Sequence, residues 1–308
     1  MNNTVRNKMS LLKLPDSYEI TVTDYFVPLV EEIFTAISTK NTSTSEHAPF
    51  VLGIQGSQGS GKSTCSEFIK LILEEKHHLN TVILSLDDFY LTRAERQHLA
   101  INIHPLLITR GVPGTHDIKL AIDTVQKLIR LPPKQTQTIP RFDKARDERQ
   151  PPSLWTTVSE PVDVIIIEGW CIGMKPQNHE QLRVPVNILE AQEDADGSWR
   201  NYVNDSLAGD YQSLFSMIDE LLVLKAPSFN AVFHWRRKQE RKLIDTLAKQ
   251  DMDSKLHTLS DQQLKRFIAH YERLTQHGLT TLDHQARWCL VLDETQQITC
   301  LQHPLEAK

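Results

Sequence analysis

One stretch of the sequence has the residue types and spacing of a phosphate-binding loop. An apolar run, Phe50 to Ile54, leads into G-S-Q-G-S-G-K-S, and a helical pattern follows from Thr64 to Lys76. The loop satisfies G-x-x-x-x-G-K-[ST] in a strand-loop-helix context. Its glycines let backbone N–H groups turn toward a phosphate, and the helix N-terminus adds positive potential. We expect nucleotide phosphates to contact Gly56, Ser57, Gln58, Gly59, Ser60, Gly61, Lys62, Ser63 and Thr64.

Two side chains of this loop have separate predicted roles. Lys62 should bridge the terminal phosphates of ATP, and the Ser63 hydroxyl should ligate Mg²⁺. The alternative is a glycine-rich turn that matches by chance. Glycine is scarce in this chain, with 11 in 308 residues, so a chance match is rare and nucleotide binding is the favoured interpretation.

Carboxylates follow two further apolar runs. Asp87 and Asp88 end the second run, and Glu168 comes directly after Val162 to Ile167. In an open parallel sheet, ligands gather at the carboxyl ends of strands. One aspartate could orient an acceptor hydroxyl while the other holds Mg²⁺ or its water, and Glu168 would face the metal. The alternatives are capping and turn roles for the aspartates and a solvated loop position for Glu168.

Apolar runs that alternate with helical patterns must position these groups. This order is typical of an α/β protein with a parallel sheet flanked by helices. The pattern predicts one α/β domain over residues 49–308, preceded by a helical extension and linker over residues 1–48. The predicted buried strands are Phe50 to Ile54, Thr81 to Leu86, Val162 to Ile167, Leu221 to Leu224 and Trp288 to Leu292.

Helical periodicity predicts several helices around this sheet. An amphipathic helix covers Tyr25 to Ile37, and the polar stretch Ser38 to His47 is interpreted as a linker. A capping glycine, Gly278, should end the last helix. The other predicted helices are Ile118 to Ile129, Phe229 to Lys249 and Ser260 to Gln276.

Composition excludes several classes of function. Lys and Arg number 34 against 39 Asp and Glu, a net charge of −5, and without a basic stripe we expect neither nucleic-acid nor membrane partners. No apolar run approaches a membrane span and no secretion signal opens the chain, so we expect a cytoplasmic protein. The four cysteines lack disulfide or zinc-site spacing. The sequence contains no signal for a particular oligomeric state.

Five segments together resemble the P-loop small-molecule kinases. They are the phosphate loop, D-D-F-Y from Asp87, R-G-V-P-G-T-H-D from Arg110, P-R-F-D-K from Pro140 and E-G-W from Glu168. This group includes uridine kinase, phosphoribulokinase and pantothenate kinase, and the strongest resemblance is to plant-type D-glycerate 3-kinase. The segments R-G-V-P-G-T-H-D and P-R-F-D-K are far more specific to this group than the phosphate loop. The resemblance implies a P-loop NTPase fold with a helical lid, and ATP and Mg²⁺ as cofactors.

The resemblance also implies roles for individual residues. Asp87 matches the catalytic base of the uridine kinase group, with Asp88 a secondary candidate and a metal ligand. Arg236 stands where the family has the lid arginine that closes over the phosphates, although the stretch could be an exposed basic helix face. The residues implied for the hydroxyl acceptor are Asp87, Tyr90, Arg110, His116, Arg141 and Lys144.

Some of these positions have structural alternatives, and the chain departs from the plant pattern. His116 and Asp117 could cap the helix from Ile118, and Arg141 and Lys144 could be solvated loop charges. The loop between Lys144 and Pro151 is shorter than in plant members. An insertion at Pro185 to Asp210, with Trp199 and Tyr202, could form or brace the acceptor pocket.

These observations predict an ATP-dependent kinase that phosphorylates a small hydroxyl compound. D-glycerate, giving 3-phosphoglycerate, is the acceptor that the resemblance implies. The alternatives are another sugar acid, a nucleoside or a pantothenate-like alcohol. A rival from another class is a nucleotide-binding regulatory ATPase that uses the helix at Tyr25 to Ile37 as a docking surface.

Overall fold

Helices and strands alternate through the chain, and the computed structural model describes residues 2–43, 48–249 and 259–305. The helices are α1 (Asn2–Leu11), α2 (Tyr18–Thr21), α3 (Val27–Ser43), α4 (Lys62–His77), α5 (Arg93–Asn102), α6 (Ile118–Ile129), α7 (Ile188–Glu193), α8 (Ser198–Ala208), α9 (Asp210–Phe215), α10 (Phe229–Lys249) and α11 (Asp261–Thr281). The strands are β1 (Phe50–Gly56), β2 (Thr81–Ser85), β3 (Gln137–Ile139), β4 (Phe142–Asp143), β5 (Glu148–Arg149), β6 (Thr156–Val158), β7 (Val164–Gly169), β8 (Glu220–Lys225), β9 (Trp288–Leu292) and β10 (Ile298–Gln302).

The central sheet has the strand order β10-β9-β8-β1-β7-β2, parallel except for β10. The five predicted strands are confirmed, with ends that differ by at most two residues. Strand β1 lies between β8 and β7, and Ile54 pairs in register with Glu168. The carboxyl ends of β1, β7 and β2 therefore meet at one edge, which carries the phosphate loop, Glu168 and Asp87.

Alternate residues of each strand enter two apolar cores, one on each face of the sheet. Leu52 and Ile54 pack with α1, α3, α4 and the start of α10, whereas Val51 belongs to the core that includes α6, α8, α9 and α11. Helices cover both faces, which is why the inner strands are apolar throughout. Within the described ranges, no helix is both long enough and apolar enough to cross a membrane.

The N-terminal helices belong to one of these cores. A π-helical turn, Val22–Phe26, leads into α3, and the predicted apolar face, including Phe26, Leu29 and Ile33, is buried. The predicted linker is wrong from Ser38 to Ser43, because α3 continues through these polar residues. Residues 44–47 lie outside the described part. Because the sheet already covers the apolar face of α3, that face offers no docking surface.

The prediction that Gly278 ends the last helix is also wrong. Helix α11 begins at a capping box formed by Ser260 and Gln263 and continues to Thr281. Gly278 lies inside it, where a Cβ atom would be 2.6 Å from Met174 Cε. The glycine therefore allows α11 to approach Met174 closely, a packing role that a local sequence signal does not distinguish from a helix cap.

A buried ion pair joins α7 to α11, and breaking it should destabilise the fold. Arg273 donates to both carboxylate oxygens of Glu190, at 2.8 and 2.6 Å, and the two side chains are only 7% and 0% exposed. Glu190→Gln leaves the guanidinium buried without a counter-charge, which typically costs about 3–5 kcal/mol. We expect a loss of that size in the free energy of unfolding, measured by urea denaturation.

The matched control is a second pair between the same two helices. Arg266 also donates to both oxygens of Glu193, at 3.0 and 2.6 Å, but these side chains are 51% and 42% exposed. Because water screens this pair, Glu193→Gln should cost about 1 kcal/mol or less. Equal losses for the two variants would contradict the role assigned to burial.

Candidate active site

The phosphate loop connects β1 to α4 and has the backbone geometry of an anion cradle. Gly59 and Gly61 have φ values of 80° and 89°, a region that side chains other than glycine rarely adopt. At Gly56 a Cβ atom would crowd the Ser60 hydroxyl and lie 3.3 Å from the Cβ atoms of Leu224 and Lys62, so a glycine gives the loop room to close. Helix α4 begins at Lys62, which directs its free N–H groups toward the loop.

Two distant segments hold the outer side of this loop. Trp235 of α10 packs closely against Gly59, where an added Cβ atom would lie 2.9 Å from the Cβ atom of Trp235. The Gln296 amide, in the β9–β10 turn, donates to the Gly59 carbonyl at 2.5 Å, and Trp235 Nε1 donates to the Glu294 carbonyl at 2.8 Å. The loop is therefore fixed from outside, with its inner side left for a ligand.

Several polar atoms of this site are buried without a partner in the described structure. Ser63 Oγ donates to Glu168 Oε1 at 3.2 Å. Because buried polar atoms nearly always have hydrogen-bond partners, an unpaired set at one place fits a polar ligand. The unpaired atoms are Ser57 Oγ, Gln58 Oε1, Ser60 Oγ and Glu168 Oε2. The Ser57 and Ser60 hydroxyls can donate to ATP phosphates, and the Ser63 hydroxyl with the Glu168 carboxylate suits Mg²⁺, which prefers oxygen ligands and keeps several waters.

Asp87 lies in a short 3₁₀ turn, Leu86–Phe89, directly after β2. Tyr90 Oη donates to its Oδ1 at 2.7 Å, and Lys144 Nζ donates to its Oδ2 at 2.6 Å. Burial opposes ionisation of Asp87, but the positive charges of Lys144 and Lys62 and these two hydrogen bonds outweigh it. The pKa of Asp87 is therefore held well below its ordinary value, and the side chain is a carboxylate at neutral pH.

Asp88 has different partners from its neighbour. Arg141 Nη1 donates to Asp88 Oδ2 at 2.6 Å, and the Phe142 N–H donates to Oδ1 at 3.1 Å. Both carboxylate oxygens thus bind the segment that begins the β4–β5 hairpin. Asp88 anchors Arg141 in this structure, and its role as a metal ligand stays a prediction.

The β4–β5 hairpin presents the basic residues of the predicted acceptor site. Lys144 follows β4 directly, and Asp147 in the same turn forms ion pairs with both Arg110 and Arg96. Arg96 is 1% exposed and also donates to the Ile108 carbonyl at 2.6 Å. The Arg110 guanidinium lies over the Phe142 and Tyr90 rings, 5.7 and 5.9 Å from their centroids. These contacts bring Arg110, Lys144 and Tyr90 together around Asp87.

The segment Gly111 to Asp117 is a tight turn that needs its glycines. Gly111 and Gly114 have φ values of 127° and 92°, and a Cβ atom on Gly111 would lie 2.2 Å from Tyr271 Oη. Thr115 Oγ1 accepts from the Gly111 N–H at 2.9 Å and donates to the Val112 carbonyl at 2.7 Å. Tyr271 of α11 donates to the Arg110 carbonyl at 2.9 Å, so this turn is fixed before a ligand binds.

The two polar residues at the end of this turn, His116 and Asp117, have different roles. Asp117 Oδ1 accepts from the Leu120 N–H at 3.0 Å and caps α6, so the capping alternative is confirmed for Asp117. His116 is buried and stacks on the Tyr90 ring with 4.7 Å between centroids. Its Nδ1 lies 2.5 Å from Tyr211 Oη, whereas Nε2 has no partner among the described residues.

The predicted insertion forms α7, α8 and the start of α9. Trp199 is buried and meets the His270 ring edge to face, 5.7 Å between centroids, so it braces the fold. Tyr202 lies against the tight turn, where a Cβ atom on Gly114 would be 2.6 Å from its Cε1. The insertion is therefore packed directly behind the predicted acceptor site.

Arg236 contacts side chains of α10 and α11 in this structure. Its Nη1 pairs with Glu240 Oε2 at 2.9 Å, one turn further along α10, and its guanidinium lies 5.9 Å from the Phe267 centroid. Glu240 is 4% exposed and also accepts from the Leu259 N–H at 2.7 Å. The closing role of Arg236 over the phosphates stays a prediction.

Residue-by-residue reasoning missed the groups that act through others. Asp147 holds Arg110, and Tyr211 contacts His116, yet neither was predicted as a site residue. For Asp147, the available signal is its place in a short turn with arginines on both sides, Arg146 and Arg149. Tyr211 had none, because its partner is 95 residues away in the chain and a tyrosine on an amphipathic helix is typical of core packing.

Comparisons with known proteins place this geometry in a family. No family model matches the sequence. A Schizosaccharomyces pombe protein described as an uncharacterized kinase, mug58, is 34% identical over 264 residues, which cover 82% of this chain and 90% of that protein. The chloroplastic D-glycerate 3-kinase of Arabidopsis thaliana is 28% identical over 275 residues, 86% of this chain and 56% of the plant protein. The chain thus spans just over half of that relative.

A solved structure has the same fold. D-glycerate 3-kinase from Cryptococcus neoformans superposes with a TM-score of 0.72 at 24% sequence identity, covering 90% of this chain and 98% of that one. Together with the phosphate loop and its orphaned polar atoms, the sequence relatives identify the chemistry. The chain belongs to the P-loop kinases of the group that contains D-glycerate 3-kinase, uridine kinase and pantothenate kinase, and it is an ATP-dependent phosphotransferase.

Proposed function

We propose that this kinase transfers the γ-phosphoryl group of ATP to the 3-hydroxyl of D-glycerate and so forms 3-phosphoglycerate. The observation that carries the proposal is the Asp87 carboxylate, held ionised by Lys144 and Lys62 at the sheet edge that bears the phosphate loop. A base beside the phosphates suits a hydroxyl acceptor, and cationic neighbours suit an acceptor with a carboxylate. The names of the plant and fungal relatives support the same substrate.

In the proposed mechanism, the residues of this chain mainly position ATP and the acceptor and neutralise the negative charge of the phosphates. Lys62 binds the transferring phosphoryl group, and the backbone of the phosphate loop holds the β- and γ-phosphates. Asp87 accepts a hydrogen bond from the acceptor hydroxyl and takes its proton as the new P–O bond forms, while the bond from the γ-phosphorus to the bridging oxygen breaks and ADP leaves. Ser63 and Glu168 would hold Mg²⁺, which neutralises charge on the phosphates when it is bound. Closure of Arg236 would exclude water, whose phosphorylation is the competing reaction.

The positive charge of Lys144 should make the site prefer anionic acceptors. In the structure its ammonium group donates a hydrogen bond to Asp87 Oδ2 at 2.6 Å, and its side chain is 58% exposed. A hydroxyl that binds this oxygen competes with Lys144 for it. An acceptor carboxylate provides a new counter-ion for Lys144, so binding of an acid frees Asp87, whereas a neutral alcohol leaves the pair intact.

Replacement of Lys144 should therefore change both acceptor selection and pH dependence. We expect Lys144→Met to lower kcat/KM for D-glycerate by about 10²-fold, because a charged hydrogen-bond partner of the acid is lost. Without this positive charge, burial weighs more heavily and the pKa of Asp87 rises. Activity is lost as pH falls through that pKa, so the acidic limb of the kcat/KM profile should move to higher pH.

The control for this variant lies in the same turn. The Arg146 side chain is 84% exposed, and its Nε atom lies 3.6 Å from Asp143 Oδ2, a long ion pair. Arg146→Met therefore removes a positive charge without changing a contact of Asp87. We expect wild-type kcat/KM and pH profile for Arg146→Met. A Lys144→Met enzyme whose acidic limb coincides with that of the wild type would contradict the proposed pairing.

A panel of acceptors separates this proposal from its rivals. ADP release is measured with purified protein and MgATP, alone and with D-glycerate, L-glycerate, uridine or pantothenate. We expect stimulation by D-glycerate well above the hydrolysis background and above the other compounds. A rate that stays at background with every acceptor would favour the regulatory ATPase, and stimulation by uridine or pantothenate alone would assign a different acceptor.

A further inference from the structure

The Tyr211 hydroxyl, on α9 behind the tight turn, has two polar neighbours. It accepts a hydrogen bond from the Gly114 N–H at 3.1 Å, and it lies 2.5 Å from His116 Nδ1. Both rings are buried. Burial and the nearby Cys171 raise the pKa of Tyr211 far above its ordinary value, so the hydroxyl keeps its proton and must donate it to an acceptor.

The acceptor that the structure provides is His116 Nδ1. If Tyr211 donates to Nδ1, the imidazole carries its proton on Nε2, and Nε2 alone lacks a partner. If His116 instead donated from Nδ1, both the Tyr211 proton and the Nε2 lone pair would be buried without partners. Because unpaired buried polar atoms are costly, the first arrangement is favoured. Burial lowers the pKa of His116 to about 4, which keeps the ring neutral.

This fixed imidazole borders the group that takes part in the chemistry. Its ring stacks on Tyr90 at 4.7 Å between centroids, and the Tyr90 hydroxyl donates to Asp87 Oδ1 at 2.7 Å. We propose that Tyr211 is a positioning residue that holds His116 as the neutral Nε2–H tautomer, so that this N–H donates a hydrogen bond to an oxygen of the carboxylate-bearing acceptor. The assignment of that acceptor rests on the proposed function, but the tautomer does not.

A spectroscopic measurement tests the tautomer without any substrate. Imidazole ¹⁵N resonances of histidine-labelled full-length protein near pH 7 distinguish a protonated nitrogen from an unprotonated one. We expect a protonated Nε2 and an unprotonated Nδ1 for His116, assigned by comparison with His116→Phe. Tyr211→Phe should give a mixture of tautomers. A protonated Nδ1 in the wild type, or an unchanged spectrum in Tyr211→Phe, would overturn the inference.

Kinetics test what the tautomer does. Tyr211→Phe should raise KM for D-glycerate about tenfold, with kcat and KM for ATP nearly unchanged, because the N–H donor is present only part of the time. Tyr202→Phe is the matched control, since Tyr202 packs on the same glycine but its hydroxyl makes no hydrogen bond in the described structure. It should keep the wild-type KM.

A double-mutant cycle separates action through His116 from general loosening of the turn. In the His116→Phe background, Tyr211→Phe should leave KM for D-glycerate unchanged, whereas a purely structural role would raise KM in both backgrounds and overturn the inference. A wild-type enzyme that does not phosphorylate D-glycerate would overturn the proposed function and the acceptor half of this inference. The tautomer measurement would still decide the other half.

Discussion

Asp87→Asn is expected to reduce kcat for D-glycerate phosphorylation by about 10³-fold while leaving the affinity for ATP within about twofold of wild type. A general base contributes roughly 10²- to 10⁴-fold, and an amide cannot take the proton of the acceptor. Asn keeps the shape of the side chain, and its single amide oxygen can accept from either Tyr90 or Lys144. Because Asp87 follows β2 and lies outside the phosphate loop, nucleotide binding should be retained.

The neighbouring carboxylate provides the comparison. Asp88 holds Arg141 and the Phe142 N–H, so Asp88→Asn should affect KM for the acceptor more than kcat. Single-turnover rates and ATP binding by isothermal calorimetry would be measured for both variants. Near-normal turnover in Asp87→Asn, with a large kcat loss in Asp88→Asn, would move the role of base to Asp88.

Lys62→Ala should impair both nucleotide binding and the chemical step. Lys62 is the first residue of α4, and we propose that its ammonium group binds the terminal phosphates and then the charge that develops on them. Loss of one such electrostatic contact costs about 10²- to 10³-fold in rate, and we expect ATP affinity to fall about tenfold as well. Fluorescent-nucleotide binding and steady-state kinetics would measure the two effects separately.

A lysine at the other end of α4 is the control for charge. Lys76 pairs with Glu31 at 2.7 Å and is 42% exposed, so Lys76→Ala removes the same charge away from the loop and should keep ATP affinity and kcat. Unchanged ATP affinity and kcat in Lys62→Ala would contradict the position that we assign to the phosphates.

Features that depend on one continuous segment could be predicted from the sequence. The strand, glycines and helix of the phosphate loop are adjacent in the chain, and the buried strands that end at Asp87 and Glu168 are apolar because helices cover both faces of the sheet. The capping role of Asp117 followed from its place before an amphipathic helix. Each of these is a local pattern with a local cause.

Features that depend on distant contacts could not be predicted in this way. Helix α3 continues through the polar residues after Ile37, and Gly278 lies inside α11 with Met174 packed against it. Tyr211 acquires a role only through His116, which is 95 residues away in the chain. Such pairs form only when the fold brings separate segments together, so composition and spacing give no sign of them.

The most direct test of this account identifies the product. The purified protein is incubated with MgATP and D-glycerate, and the phosphorylated product is resolved by ³¹P NMR against authentic 2- and 3-phosphoglycerate. We predict stoichiometric formation of ADP and 3-phosphoglycerate, at a rate about 10³-fold lower in Asp87→Asn. ADP formation without any phosphoglycerate would contradict transfer to this acceptor, and 2-phosphoglycerate as the product would contradict the hydroxyl that we assign.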